Sequence, residues 1–297
     1  MSTPTPYDSF EGLIWWNGDF VDWKAARPHV LSHGLHYGSC IFEGERAYDG
    51  AIFRSVDHSE RLLRSAELLG FQFPYTVDEV EAAKRETLDR MGFDSAYIRA
   101  VSWRGSEMMG VSAQKNTIHL AIAIWQWGAY FADKMKGIRL TVSDWRRPPP
   151  ECAPVKAKAA GLYTICTLSK HAAEAQGYAD ALMYDYKGRV AECTGAHVFF
   201  IKDGELHTPT GDWFIDGITH ATVCELAAVR GFKVNKRDIY PDELPTFSEC
   251  FIVGTAAEVT PVREIKGIAY TPGEITKTLS DDYDLFVRGR LAQAAAE

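Results

Sequence analysis

Short apolar runs separated by turn-forming pairs open the chain, and runs with helical spacing follow them. Leu13-Ile14-Trp15-Trp16 and Asp19-Phe20-Val21-Asp22-Trp23 flank Asn17-Gly18. Asn-Gly between two apolar runs predicts a hairpin closed by a two-residue type I′ turn, whose central residues both need positive φ. A second strand pair is expected over residues 39–48 and 52–54, turning at Asp49-Gly50. Asp57 with Glu60 three positions on then reads as a helix start, with Leu62, Leu63, Ala66 and Leu69 on one face. Thr76 with Glu79 repeats that signature ahead of Val80, Ala83 and Leu88, and Gly92 closes the second helix. Strands are expected over 95–103 and 117–125, which makes residues 1–126 a small α+β domain and 127–137 a linker loop.

Beyond residue 137 strand signals dominate, at 138–143, 181–185, 189–193, 197–201 and, after the Asp203-Gly204 turn, 205–207. Helices are expected over 163–176, 219–230 and 275–295, with Gly177 and Gly231 where C′ glycines belong. Many short strands with few helices predict a larger α+β domain, residues 138–297, on a barrel-like sheet.

Composition narrows the class without changing this outline. At 297 residues, with roughly 150 residues per domain, two domains are the natural expectation. Hydrophobic residues make up 46% and charged residues 24%, which excludes a disordered, collagen-like or coiled-coil chain. Thirty-two basic residues against 40 acidic ones leave a net charge of −8. No basic stripe is visible, so nucleic acid is not an expected partner. Cys40, Cys152, Cys166, Cys193, Cys224 and Cys250 are far apart and form no C-x-x-C pair. They read as reduced thiols rather than a disulfide or zinc scaffold. The polar start and the short apolar run at 120–127 match neither a signal peptide nor a membrane span. A soluble, cytoplasmic protein is expected.

The common nucleotide, metalloprotease and serine-hydrolase motifs are missing. His33 and His36 lack an acidic or cysteine partner at useful spacing, so backbone-bonded or packed rings are expected instead of a metal site. Lys156-Ala157-Lys158 precedes the small-residue run Ala159-Ala160-Gly161-Leu162-Tyr163. Small neighbours leave room for a flat ring beside an amine, and desolvation there would favour the nucleophilic form. Two lysines near a loop equally suit a solvated surface. Asp216-Gly217-Ile218-Thr219 opens a helix whose N–H groups and hydroxyl could hold an anion, or could form a plain cap. Gly254-Thr255-Ala256-Ala257, after a strand, is either a second anion turn or a tight bend.

A longer pattern runs through these pieces. His33-Gly-Leu-His-Tyr-Gly-Ser-Cys-Ile-Phe-Glu-Gly-Glu-Arg-Ala-Tyr48 is followed by Tyr97-Ile-Arg99, Trp127-Gly-Ala-Tyr130 and Lys158-Ala-Ala-Gly-Leu-Tyr163. Ala191-Glu-Cys-Thr-Gly195, Gly217-Ile-Thr219 and Gly254-Thr-Ala-Ala-Glu-Val-Thr-Pro-Val262 complete it. In order and spacing, from residue 33 to residue 262, the chain resembles the branched-chain amino acid aminotransferases, which are pyridoxal 5′-phosphate enzymes of fold type IV.

The resemblance implies a two-domain α+β fold and a role for each matched residue. Lys158, with a tyrosine five residues later, matches the lysine that bonds the cofactor and shuttles the substrate proton; Lys156 does not. Tyr163 matches the hydroxyl beside the ring's phenolate oxygen, and Glu192 the carboxylate that keeps the pyridine nitrogen protonated. The phosphate is implied to meet Arg61, Ile218, Thr219 and Thr255; by itself Arg61 would read as an exposed helix charge. The substrate carboxylate is implied at the Thr255 and Ala256 amides with help from Tyr97. Phe42, Gly44, Trp127, Tyr130 and Tyr163 would border an apolar pocket, and Arg99 would receive the distal carboxylate of glutamate or 2-oxoglutarate. Tyr37 and the Met109-Gly110-Val111 loop match segments that reach in from a neighbouring subunit, which implies a homodimer. The implied reaction is ping-pong transfer of the amino group of Leu, Ile or Val to 2-oxoglutarate.

Two positions depart from the pattern. His197 stands where many relatives carry asparagine, and is expected to fill a core position or to adjust the surroundings of Glu192. Glu45 is charged where many relatives are apolar; facing the pocket mouth, it could tune substrate preference. Rival readings are a D-amino acid or (R)-amine transaminase, an aminodeoxychorismate lyase, or a non-catalytic protein that keeps the fold. The Phe42-Glu43-Gly44 block and the Arg99 strand favour the branched-chain reading over the first three. Intact Lys158, Tyr163, Glu192 and Arg61 disfavour the last.

Overall fold

The Asn17-Gly18 pair turns β1 (Leu13–Trp16) into β2 (Asp19–Asp22), with Leu13 opposite Asp22. Asn17 and Gly18 take φ of 52° and 104°. The computed structural model describes residues 6–128 and 134–291. Their contacts divide into one unit of residues 6–128 with Ala157–Gly161, and a second of residues 134–156 with 162–291. Ala157–Gly161, grouped with the second domain on sequence grounds, therefore packs with the first. Phe42 N donates to Lys158 O at 3.1 Å, Lys158 N donates to Ser65 Oγ at 3.0 Å, and Ile41 bridges Ala159. Residues 129–133 of the expected linker, Tyr130 among them, lie outside the described residues.

In the first unit α1 (His33–Tyr37), β3 (Cys40–Phe42), β4 (Glu45–Tyr48), β5 (Ala51–Ile52), α2 (Ser55–Leu68), α3 (Val77–Met91), β6 (Ala96–Arg104) and β7 (Ile118–Gln126) follow the hairpin. The sheet is antiparallel, ordered β2-β1-β7-β6-β4-β5 with β3 also on β6. Leu62 and Ala66 of α2 and Val80, Ala83 and Leu88 of α3 pack on Ile98, Leu120, Ile122 and Ile124 of the sheet. The Thr76–Glu79 capping box forms in both directions, and Gly92 ends α3 at φ 67°.

Two expectations need correction here. The strand expected over 39–48 breaks at Glu43-Gly44, because Glu43 turns its carboxylate inward; a Cβ on Gly44 would also lie 2.1 Å from Tyr97 Oη. Helix α2 starts at Ser55 rather than after Asp57: Arg54, at φ 51°, turns the chain, and Asp57 sits in the first turn 3.4 Å from its guanidinium.

Glu45 does not face a pocket mouth. It is 1% exposed in the first unit, where Lys84 Nζ lies 2.8 Å from it and 2.7 Å from Glu81, and donates to Ser55 O at 3.0 Å. Burial raises the Glu45 carboxyl, and the Lys84 ammonium opposes that shift. A fully buried ammonium is tolerable only with partners of this kind.

The second unit contains β8 (Ile138–Arg147), α4 (Tyr163–Ala175), β9 (Asp180–Asp185), β10 (Val190–Cys193), β11 (His197–Lys202), β12 (Glu205–Pro209), α5 (Ile218–Val229), β13 (Val234–Arg237), β14 (Glu249–Gly254), β15 (Glu258–Ile265), β16 (Ile268–Ala269) and α6 (Glu274–Val287). Its mixed sheet runs β10-β9-β8-β15-β14-β11-β12-β13, with β16 on β15. Strands β8 and β9, β8 and β15, and β12 and β13 pair in parallel. Leu182, Val198, Phe200, Ile252, Val262 and Ile265 form the centre of its core. Strand β8 outruns its expected end and carries Arg147 into the unit. Helix α6 stops at Val287, short of the expected 295, and Gly289 follows at φ 67°; residues 292–297 lie outside the described residues. Among the described residues no helix is long and apolar enough to cross a membrane.

Lys84→Ala strands two buried carboxylates and should cost about 3–5 kcal/mol in urea unfolding. Replacing Glu45 and Lys84 together by methionine should recover part of that loss, the remainder staying with Glu81.

Candidate active site

The break between β3 and β4 places Glu43, with no exposure, against α2. It accepts from Arg61 Nε and Nη2, both at 2.7 Å, in a forked pair, and from His58 Nδ1 at 2.7 Å. His58 and Arg61 are three residues apart on α2 and so share a face. Burial alone would raise the Glu43 carboxyl, but Arg61 and His58 outweigh it and hold the group well below the usual carboxylate range. Arg61 is 6% exposed, not a surface charge.

Tyr97 and Arg99 are two apart on β6 and project to one face of the sheet. Arg99 Nη2 donates to Tyr97 Oη at 3.2 Å, and its guanidinium lies over the Phe42 ring at 4.6 Å. Tyr97 stacks on Trp125 at 5.0 Å and meets Trp127 at 4.9 Å. Arg99 Nε is buried and has no hydrogen-bond partner among the described residues. Lys158 Nζ also stands over the Phe42 ring, 5.0 Å from its centroid. Phe42, Gly44, Tyr97, Arg99, Trp127 and Lys158 are thus gathered in the first unit.

Tyr37 is elsewhere in that unit. Half exposed, it stacks on His33 at 4.5 Å and donates to Met109 O at 3.2 Å. His33 and His36 donate to Gly110 O and Val30 O. Among the described residues no group of three His, Cys, Asp or Glu could hold a metal ion.

In the second unit a bulge between Val190 and Glu192 re-aims the Glu192 side chain. Arg147 Nε lies 3.1 Å from Glu192 Oε1, and Arg147 Nη1 donates to Cys166 Sγ at 3.3 Å. Burial, opposed by Arg147, pushes the Cys166 thiol up to about 11, so it accepts as a neutral group. Tyr163 opens α4. Together with Thr194, Gly195, Ala196 and Ala256 it lines a cavity of about 410 Å³. Thr255 and Ala256 lie in the β14–β15 turn, where a Cβ on Gly254 would come 3.3 Å from Gly195 O. Helix α5 begins at Ile218 with Gly217 as N-cap and no side-chain cap, and Thr219 is buried behind it. Such an end, with its dipole and uncapped amides, suits an anion. Lys156 bonds Gly211 O and pairs with Asp216 at 3.2 Å.

Sequence reasoning gave no role to Glu43, His58 or Arg147. Glu43 was marked only as part of the Phe42-Glu43-Gly44 block and as an acidic residue inside an apolar strand pattern, and Arg147 carried no local signal at all.

The geometry can be set beside known proteins. The family model for Amino-transferase class IV matches residues 40–265. The branched-chain-amino-acid aminotransferase of Pseudomonas aeruginosa is 40% identical over 296 residues, covering 97% of this chain and 96% of that one. A branched-chain aminotransferase from Thermoproteus uzoniensis, solved with norvaline, superposes with a TM-score of 0.91 at 37% identity, covering 95% of this chain and 96% of that one. The branched-chain amino acid aminotransferase of Thermobaculum terrenum, solved in its PLP-bound holo-form, gives 0.86 at 29% identity, covering 94% of this chain and 95% of that one. The chain belongs to the class IV aminotransferase family and is an enzyme of that class. Its α+β architecture, with one antiparallel and one mixed sheet, is that family's fold.

His220 follows Thr219 on α5. Thr208 Oγ1 donates to Val198 O at 2.8 Å, so toward His220 Nε2, 3.1 Å away, it can only accept. Burial, with Lys236 adding to it, pushes His220 down to about 4. The unfolded chain protonates this ring near pH 6.5 and the folded one does not. Stability from neutral His220 is therefore full above pH 6.5 and declines as pH falls toward 4, by at most about 3 kcal/mol. His220→Phe should flatten that part of the stability curve measured by urea unfolding between pH 7 and 4.

Proposed function

We propose that the protein is a pyridoxal 5′-phosphate-dependent aminotransferase that moves the amino group of branched-chain L-amino acids to 2-oxoglutarate by a ping-pong mechanism. The observation that carries this reading is the partly buried guanidinium of Arg99, with its Nε shut off from water, against the aromatic wall of Phe42, Tyr97 and Trp127. An apolar wall suits a leucine side chain. One unsatisfied donor within it suits the distal carboxylate of 2-oxoglutarate, which must be bound in the second half-reaction.

The residues present fit the cofactor. The uncapped N-terminus of α5 at Ile218 and Thr219, with Thr255 and Arg61, would hold its phosphate. Glu192, steadied by Arg147, would face the pyridine nitrogen, and Tyr163 the phenolate oxygen. Pyridoxal phosphate, when bound, supplies the electron sink that makes a substrate Cα–H bond breakable. Lys158 would hold the cofactor covalently and, as a free amine, take the Cα proton and return it. The Thr255 and Ala256 amides with Tyr97 would orient the substrate carboxylate. Phe42, Gly44, Trp127 and Tyr130 would exclude water from the reacting carbon. Exposed Tyr37, Met109 and Val111 suit burial against a second copy, and a homodimer with shared sites is part of this reading.

The purified protein should show a visible cofactor band that fades with L-leucine and persists with D-alanine; Lys158→Ala should lack it. Fading with D-alanine alone would move the activity to another member of the fold, and no band after adding pyridoxal phosphate would overturn the cofactor. Arg99→Ala should lower kcat/KM for 2-oxoglutarate about ten- to hundredfold, with a much smaller effect on the 2-oxo acid of leucine.

A further inference from the structure

His197 is the first residue of β11, directly after the bend at 194–196. Its Nδ1 lies 4.0 Å from Glu192 Oε2, across from the oxygen that faces Arg147. That distance is beyond a hydrogen bond but within the range of ionic contact. Behind the ring, a Cβ built on Gly217 would fall 2.2 Å from His197 Nε2 and 2.4 Å from Cδ2. Gly217 has φ −77°, open to any residue. Glycine is needed there to admit the imidazole, not to make the turn. Phe214 and His220 hold the ring from the sides, with centroids 5.1 and 5.3 Å away, and His197 is 8% exposed.

The imidazole is therefore wedged between two parts of the second unit that lie far apart in sequence: the Glu192 carboxylate and the backbone that begins α5. We propose that His197 is a positioning residue that fixes the Glu192 carboxylate relative to the Gly217-Ile218 backbone, so that both ends of one pyridoxal phosphate are met at once. It acts through Glu192 and the α5 amides and touches no reacting atom. The charged group facing it is Glu192 on β10, with Arg147 on β8 behind that carboxylate; His220 on α5, beside the ring, is neutral near pH 7. This inference rests on the functional reading above.

The test is pyridoxal phosphate affinity, read by visible absorbance titration of the apo-protein, with thermal unfolding of each apo-variant alongside. His197→Ala should weaken binding about tenfold, and His197→Asn less, as expected when a supporting contact is lost. In a Glu192→Gln background the same alanine substitution should change affinity by no more than about threefold, since its route of action is gone. Gly217→Ala should weaken binding through the clash, and adding His197→Ala to it should restore part of the loss. Wild-type affinity in His197→Ala overturns the proposal. So do losses that simply multiply in the Glu192→Gln background, the behaviour of a space-filling residue. If His197→Ala fails to fold, His197→Asn, alone and in the Glu192→Gln background, decides between the same outcomes. A wild-type protein that binds no pyridoxal phosphate overturns the functional reading, and this proposal with it.

Discussion

A carboxylate removed entirely from water needs positive charge at hydrogen-bonding distance, and Glu43 imposes that requirement on the first unit. Its partners, Arg61 and His58, must share one face of α2, and the strand that carries it must break to turn it inward. The break separates β3 from β4 and brings Gly44 against the Tyr97 hydroxyl. On the other side, Phe42 takes its amide bond to Lys158 O and its ring to the Lys158 ammonium. One buried ion pair thus fixes where Lys158, Arg61 and the aromatic wall can be. Removing either partner would leave an uncompensated charge, which costs far more than the intact pair contributes.

The second unit repeats the principle between strands of its own sheet. There Arg147 on β8 is the buried cation, and it steadies Glu192 on β10 while bonding the Cys166 thiol in the first turn of α4. Each unit therefore holds its principal ionisable group with a counter-ion chosen for orientation. Neither carboxylate is left to find its own rotamer.

Local features were legible in the sequence because their causes are local. Asn17-Gly18 and the Thr76–Glu79 box each need only neighbouring residues, and both form as read. Where the cause was distant the reading failed. Asp57 looked like a cap because nothing nearby reveals that Arg54 adopts a left-handed turn. Glu45 looked like a charge at a pocket mouth because its partner Lys84 lies 39 positions on. Arg147 and Glu192 meet only when β8, β9 and β10 pair, so no spacing rule announces them. The candidate site residues came from a motif pattern that encodes such long-range outcomes without explaining them. The geometry supplies the explanation for Arg61, drawn inside by Glu43, and separates Lys158, beside Phe42, from Lys156, which Asp216 holds.

Two glycines described above also bear on how readily each unit could be redesigned. Neither Gly44 nor Gly217 has a positive φ, so a search that scores conformation alone would treat them as replaceable. Each is pressed by a ring from elsewhere in its own unit, Tyr97 in one case and His197 in the other. A library meant to broaden substrate range would waste members at these two positions unless the opposing ring were varied in the same clone. Trp127, partly exposed beside the Tyr97 ring, carries no such steric bar to a smaller side chain.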